Sequence, residues 1–185
     1  MKKGGSKRKG SQYERTICKQ LSLWWSYEEN DIIFWLSSQS GGRATTRAKK
    51  GKKTPYSYGD ITFIDPIGKP LIDKCLLELK RGYTNDINIL DLIDKKKGIS
   101  ILLQWWEKGE SERKFAKRKY TIVIFRRDRH ESCIFFESKI FNEMLDYFGK
   151  FDGVKIIVET KDHKFIVLKL DEFLDWCNPK FFKEK

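Results

Sequence analysis

The sequence predicts an α/β (α+β) protein whose elements run helix, strands, helix, strands, with a C-terminal α+β extension. Three observations carry that prediction. Apolar residues recur at helical spacing from Gln12 to about Glu29, and helical patterning returns after Ile89. Short runs rich in β-branched and aromatic residues lie between and beyond these stretches, bounded by turn signals. The 185 residues, 39% hydrophobic and 14% aromatic, are enough for one domain with a real core and are not the composition of a disordered chain.

Residues 1 to 11 read as a flexible basic arm, since Gly4, Gly5, Gly10 and the lysines offer nothing to bury. Tyr13, Ile17, Leu21, Trp24 and Trp25 form the stripe of a first helix, with Ser11 as N-cap and Glu14 completing a capping box. "DIIFWLSS" reads as a strand. "SQSGGRATTRAKKGKKTPYSYG" is a long polar connection with room for a strand near Arg43 to Arg47; loops of this length are usually functional. "DITFIDP" and "LIDKCLLELK" read as two strands joined around "DPIGKP". One or two helices, broken near Gly98, follow from Ile89 to Trp106. "YTIVIFRR" and "SCIFFES" form a hairpin, "KIFNEMLDYFGK" an amphipathic helix, "VKIIVET" and "KFIVLKL" a second hairpin, and "DEFLDWC" a closing helix.

Charge narrows the partner. The formal net charge is +12, which points to a polyanion, nucleic acid before membrane. Lys2, Lys3, Lys7, Arg8 and Lys9 crowd the first ten residues, and Arg43, Arg47, Lys49, Lys50, Lys52 and Lys53 a later eleven. No acid occurs between Asp31 and Asp60, whereas a merely solvated face mixes both signs. Phosphate contact follows, with affinity that falls steeply with salt. No apolar run is long enough for a membrane span and no signal-peptide pattern opens the chain. Four widely spaced cysteines, without a CxxC pair, read as reduced thiols in a cytoplasmic setting. The phosphate loop GxxxxGK[ST] and the Gly-x-Ser-x-Gly elbow are both missing, so no nucleotide cofactor is expected.

One constellation could do chemistry. Asp60 opens one predicted strand, and Glu78 and Lys80 end the next on a shared face, because side chains alternate along a strand. In a hairpin of residues 60 to 80, Asp60 can face Glu78 across about 4.8 Å of strand spacing. Two such carboxylates repel unless a cation lies between them, and Mg²⁺ is the natural ion for hard oxygen ligands. Lys80 beside it could position or deprotonate the attacking water, or neutralise phosphorane charge.

Asp60 with Glu78-Leu79-Lys80 resembles the PD-(D/E)XK nuclease signature, with Gly59 where the proline stands. Many such nucleases carry a glutamate on the first core helix, a role that suits Glu14. "RKGSQYERTICKQL" resembles the N-terminal segment of archaeal-type Holliday junction resolvases, which begin with a basic RKG-x-x-x-ER pattern. The resemblance covers roughly residues 8 to 137. It departs in the longer loop from Gly41 to Gly59 and in the tail from about Ser138 onward. It implies a restriction-endonuclease-like αβββαβ core over residues 12–137, flanked by the arm at 1–11 and the extension at 138–185 packed on the core. It implies an Mg²⁺-dependent DNA endonuclease, with Mn²⁺ able to substitute, acting on DNA that is branched and working as a homodimer in a bacterial, archaeal or phage-infected cell. The catalytic residues would be Glu14, Asp60, Glu78 and Lys80, and the metal ligands Asp60, Glu78, the Leu79 carbonyl and Glu14. Lys7, Arg8, Lys9, Arg15, Ser40, Arg43, Arg47, Lys49, Lys50, Lys52 and Lys53 would contact DNA, with Ser57 the rival to Ser40 as the active-site-loop serine.

Plainer readings stand beside these. Glu14 has a sufficient structural reason as a helix cap. Trp24, Trp25, Trp105 and Trp106 suit a core or a dimer interface better than base stacking, while Tyr56 and Tyr58 suit packing and stacking equally. His130 and His163 lie in turns without a metal-site neighbourhood. The chain could also be a restriction-type or phage DNA-processing endonuclease, or a basic nucleic-acid-binding protein without catalysis.

Overall fold

A parallel pair of strands with a helix between them organises the chain. In this computed structural model, residues 5–37, 58–82 and 86–184 are described, residues 5–9 as backbone alone. Strand β3 (Cys75–Arg81) runs parallel to β4 (Tyr120–Arg126), and helix α3 (Ile101–Ala116) makes the crossover. A parallel pair needs such a helix to cover the sheet. Ser100 caps α3 by accepting from Leu102 N, and Lys117 ends it in the left-handed conformation (φ 57°).

Helix α1 (Gly5–Ser26) buries Tyr13, Ile17, Leu21 and Trp25 on one stripe. It starts at Gly5, so the arm expected over residues 1 to 11 is helical for most of its length. Ser11 consequently lies inside the helix and is not its N-cap. Lys, Arg, Ser and Gln are all admissible in a helix, so the pattern extends upstream of its first apolar residue. Tyr27 and Glu28, at positive φ, end α1. Two short strands follow, β1 (Phe34–Leu36) and β2 (Ile61–Phe63), paired antiparallel with each other. The fully buried Ser22 hydroxyl accepts from the backbone of both Ile33 and Phe34 and ties β1 to α1.

The hairpin expected over 60 to 80 does not form. β2 pairs with β1, and residues 69–74 are the helix α2 (Lys69–Lys74) rather than the start of a strand. Lys69-Pro70 opens that helix well, because a proline in the first turn gives up no hydrogen bond. The apolar run "LIDKCLLELK" thus divides at Lys74, where a buried helical turn hands over to a buried strand.

The main sheet has the order β3-β4-β5-β7-β6, with β5 (Ser132–Glu137), β6 (Lys155–Glu159) and β7 (Lys164–Lys169) antiparallel to their neighbours. Both faces are buried, and alternation sorts the residues between them. Leu77, Leu79, Ile122, Ile124, Ile134, Phe136, Ile166 and Leu168 join the α1 side, together with α4 (Ser138–Phe148), α5 (Leu170–Trp176) and α6 (Lys180–Lys183). Val123, Phe125, Phe135, Phe165 and Val167 meet Leu102, Trp105 and Trp106 of α3 on the other side. The tryptophans expected in the core are there, with Trp24 partly buried.

The tail, read as an α+β extension packed on the core, adds two strands to the main sheet. β7 inserts between β5 and β6, so the sheet runs straight through residue 138. The tail's alternating apolar pattern is what a central strand requires, and β5 needs a partner on its second edge. Ending the chain after Glu137 would therefore expose Ile134, Phe135 and Phe136. Such a truncation should show no cooperative thermal transition by circular dichroism, whereas the full chain should melt in one step.

Candidate active site

β3 presents Leu77 and Leu79 to the α1 side and turns Glu78 toward α3. Helix α3 reaches Glu78 because it crosses very close: a Cβ on Gly109 would lie 2.7 Å from Thr121 Cγ2 and 3.5 Å from Glu78 Cγ. The Glu78 carboxylate, fully buried, is held by two ammonium groups. Lys80 Nζ donates to Oε2 at 2.7 Å, and Lys108 Nζ, from α3, donates to both oxygens at 3.0 Å.

Asp60 joins by docking against the outer edge of β3. Its N–H donates to the Leu77 carbonyl at 2.8 Å, and its Oδ2 accepts from Leu79 N at 2.7 Å. Lys80 Nζ lies 3.5 Å from the same Oδ2 and 3.2 Å from the Leu79 carbonyl. That ammonium thus lies within 3.5 Å of Asp60, Glu78 and Leu79, the two carboxylates and the carbonyl that the sequence nominates as cation ligands.

Gly59 makes the docking feasible. Its φ is +77°, and a Cβ there would stand 2.9 Å from the Leu77 carbonyl oxygen. Proline fixes φ near −65°, so the signature proline cannot stand here with this backbone. Gly59 N donates to Glu112 Oε2 at 3.1 Å, and Glu112 lies 3.5 Å from Lys108. The buried Arg118 donates to the Tyr58 and Cys75 carbonyls, fixing the approach to Asp60 and the start of β3 together.

The electrostatics follow from crowding. Burial, then the charge of Glu78, raises the Asp60 pKa above the ordinary carboxylate value, with Lys80, the Leu79 N–H and Lys108 opposing. Burial pulls Lys80 down, but Asp60 and Glu78 outweigh it and hold the amine above its usual value, a firm ammonium. Burial and Asp60 likewise raise Glu14, against the pull of Lys80. Glu14 is half-buried on α1 and electrostatically in touch with the site, while Arg15 beside it is exposed.

The remaining expectations divide plainly. Among the described residues, no three His, Cys, Asp or Glu side chains stand close enough to hold a metal ion. Glu14 therefore does not close a carboxylate triad with Asp60 and Glu78. Ser40, Arg43, Arg47, Lys49, Lys50, Lys52, Lys53, Tyr56 and Ser57 lie outside the described residues, as do the side chains of Lys7, Arg8 and Lys9. Lys108, Glu112 and Arg118 were missed. The signal for the first two was in the sequence: Lys108 and Glu112 share a helix face at i, i+4, and Gly109 interrupts an otherwise helical pattern, as a close packing contact requires.

Over residues 5–184 the chain matches the family model described as "Phage putative PDDEXK endonuclease". The chain belongs to this family. As a phage-type member of the PD-(D/E)XK superfamily it has a restriction-endonuclease-like fold, and its family places it among nucleases, with DNA as the implied substrate. The match runs through β7, β6 and the last helices, in keeping with a sheet undivided at residue 138. Comparison with curated proteins and with solved structures gives no match. No helix among the described residues of this family member is long and apolar enough to cross a membrane.

Two outcomes follow from the geometry. Because the folded state raises the Asp60 pKa, its ionised form opposes folding above the ordinary carboxylate range. Asp60→Asn should accordingly melt at or above wild type at neutral pH, by about 2–4 °C per kcal/mol relieved, with the gap closing as pH falls below that range. A variant less stable at neutral pH than at acid pH, relative to wild type, would contradict this. Gly59→Ala should lose about 1–3 kcal/mol in urea denaturation, the cost of a side chain in that backbone region.

Proposed function

We propose that the chain is an Mg²⁺-dependent endonuclease that hydrolyses DNA phosphodiester bonds, with branched DNA of the four-way-junction type as its substrate. The observation that carries the reading is the convergence of Asp60 Oδ2, Glu78 Oε2 and the Leu79 carbonyl on one ammonium nitrogen, within 3.5 Å of each. A cation already occupies the centre of that oxygen set. Two carboxylates and a carbonyl are hard donors of the kind Mg²⁺ takes, with positions left over for water. The donor set therefore fits the ion, and Asp60, Glu78 and Leu79 would hold it. Bound there, it would lower the pKa of a coordinated water and screen the scissile phosphate.

The chain's own groups supply the rest. Lys80, which reaches Asp60, Glu78 and the Leu79 carbonyl, would stand beside the ion, where it could orient the attacking water or neutralise charge on the pentacoordinate phosphorus. Lys108 holds both Glu78 oxygens and so keeps that carboxylate aimed. Glu14, half-buried on α1, would complete the ion's shell through water. The basic residues from Lys7 to Arg15 and from Arg43 to Lys53 would grip backbone phosphates, a contact that reads shape before sequence. The branched substrate is supported by the RKG-x-x-x-ER pattern at residues 8 to 15. Paired cuts on a junction would require a twofold dimer.

Nicking of supercoiled DNA should occur with Mg²⁺ or Mn²⁺ and stop with EDTA. Asp60→Asn and Glu78→Gln should each reduce the rate by about a hundred- to a thousandfold, in line with the loss of a principal electrostatic element. Cleavage that survives both substitutions would place the chemistry elsewhere, and no cleavage of any nucleic acid under metal would leave a binding protein. In a second comparison, a four-way junction should be cut faster than linear duplex of matched sequence. Equal rates would favour a restriction-type or DNA-processing enzyme.

A further inference from the structure

Residues 155 to 159 read Lys-Ile-Ile-Val-Glu and form β6, the last strand of the sheet. Among the described residues nothing pairs with its outer edge. Edges of this kind are normally blunted by a central charge, a proline or a bulge. Here charge stands only at the two ends, and Val154, Ile156 and Ile157 are 68%, 46% and 49% exposed.

The strand is complementary to itself. Laid antiparallel to a copy of itself about Ile157, it sets Lys155 opposite Glu159 of the second copy at both ends. Ile157 meets Ile157 of the second copy, and Ile156 meets Val158. Alternation assigns these contacts to both layers of the core. Val158 belongs to the layer shared with Trp106 and Phe165, so the Ile156–Val158 contacts continue that layer across the boundary. Ile157 lies on the opposite face, which carries the α1-side core. Within one chain Glu159 already meets Lys164 at 2.9 Å, so in the pair it would lie between two lysines.

We propose that β6 is a self-association edge, on which a second copy of this chain adds its own β6 to make one ten-stranded sheet. The inference rests on the strand and not on the nuclease reading. The twofold axis of such a pair stands perpendicular to the sheet, because facing residues of antiparallel strands share a side. It therefore sets both α3 helices, and both Asp60–Glu78 sites, on one side of the sheet, at its two outer edges.

The test is a charge exchange measured by sedimentation equilibrium on the full chain. A Lys155→Glu protomer carries acids at both ends of β6, and a Glu159→Lys protomer carries bases at both ends. Each alone should dimerise about tenfold more weakly than wild type, from like charges placed directly opposite. An equimolar mixture of the two should regain the wild-type affinity, because every end pair is then opposite in sign. Circular dichroism of each variant confirms that it folds, as exposed positions allow. A wild-type chain that stays monomeric at high concentration overturns the proposal. So does a dimer that both variants leave unchanged, or a mixture that fails to recover.

Discussion

A carboxylate with no exposure to water stands at the centre of this molecule. Glu78 lies on a strand whose neighbours are leucines, where an unpaired ion would cost several kcal/mol. Two ammonium groups offset that cost, and they come from different elements: Lys80 from the same strand, Lys108 from the crossover helix. The second partner arrives only because α3 lies almost against the sheet, which Gly109 permits and the Trp105–Trp106 layer holds. Fold and site thus share one requirement, the close seating of α3 on β3 and β4.

The same economy governs the outer edge of β3. An edge strand leaves backbone groups unpaired. Here the Leu77 carbonyl and the Leu79 N–H are both satisfied by Asp60, one through its backbone and one through its side chain. The residue that covers the edge is also the one that brings the second carboxylate. Burial and mutual repulsion then raise its pKa. Perturbed groups of this kind cluster where a site is built to receive charge. The opposite edge of the sheet, β6, has no comparable cover among the described residues.

Much of the fold was legible because it follows from period. The stripe Tyr13-Ile17-Leu21-Trp25 can only be a helix face, and the doubly apolar runs of β4, β5 and β7 suit strands buried on both sides. The shared face of Glu78 and Lys80 was legible too, since alternation sets it whatever else the chain does, whereas Asp60 reaches them by docking on the edge of β3 and not through the expected hairpin. The hairpin over 60 to 80 was not, because an apolar run such as "LIDKCLL" does not reveal where a buried helical turn becomes a strand. The helical backbone of residues 5–11 and the place of the tail's strands within the sheet were not legible for a related reason. Composition describes what a segment can bury, but not whether a neighbour is there to bury it.

Chain order alone sets which residues alternate, which recur every three or four positions, and where opposite charges could meet along one element. Those are local facts, set by the geometry of a single strand or helix. Packing settles that β2 pairs with β1, that β7 enters the middle of the sheet, and that Lys108 closes on Glu78. Each of these joins residues from separate elements, through contacts whose strength depends on distance and burial, and neither quantity exists until the chain has packed.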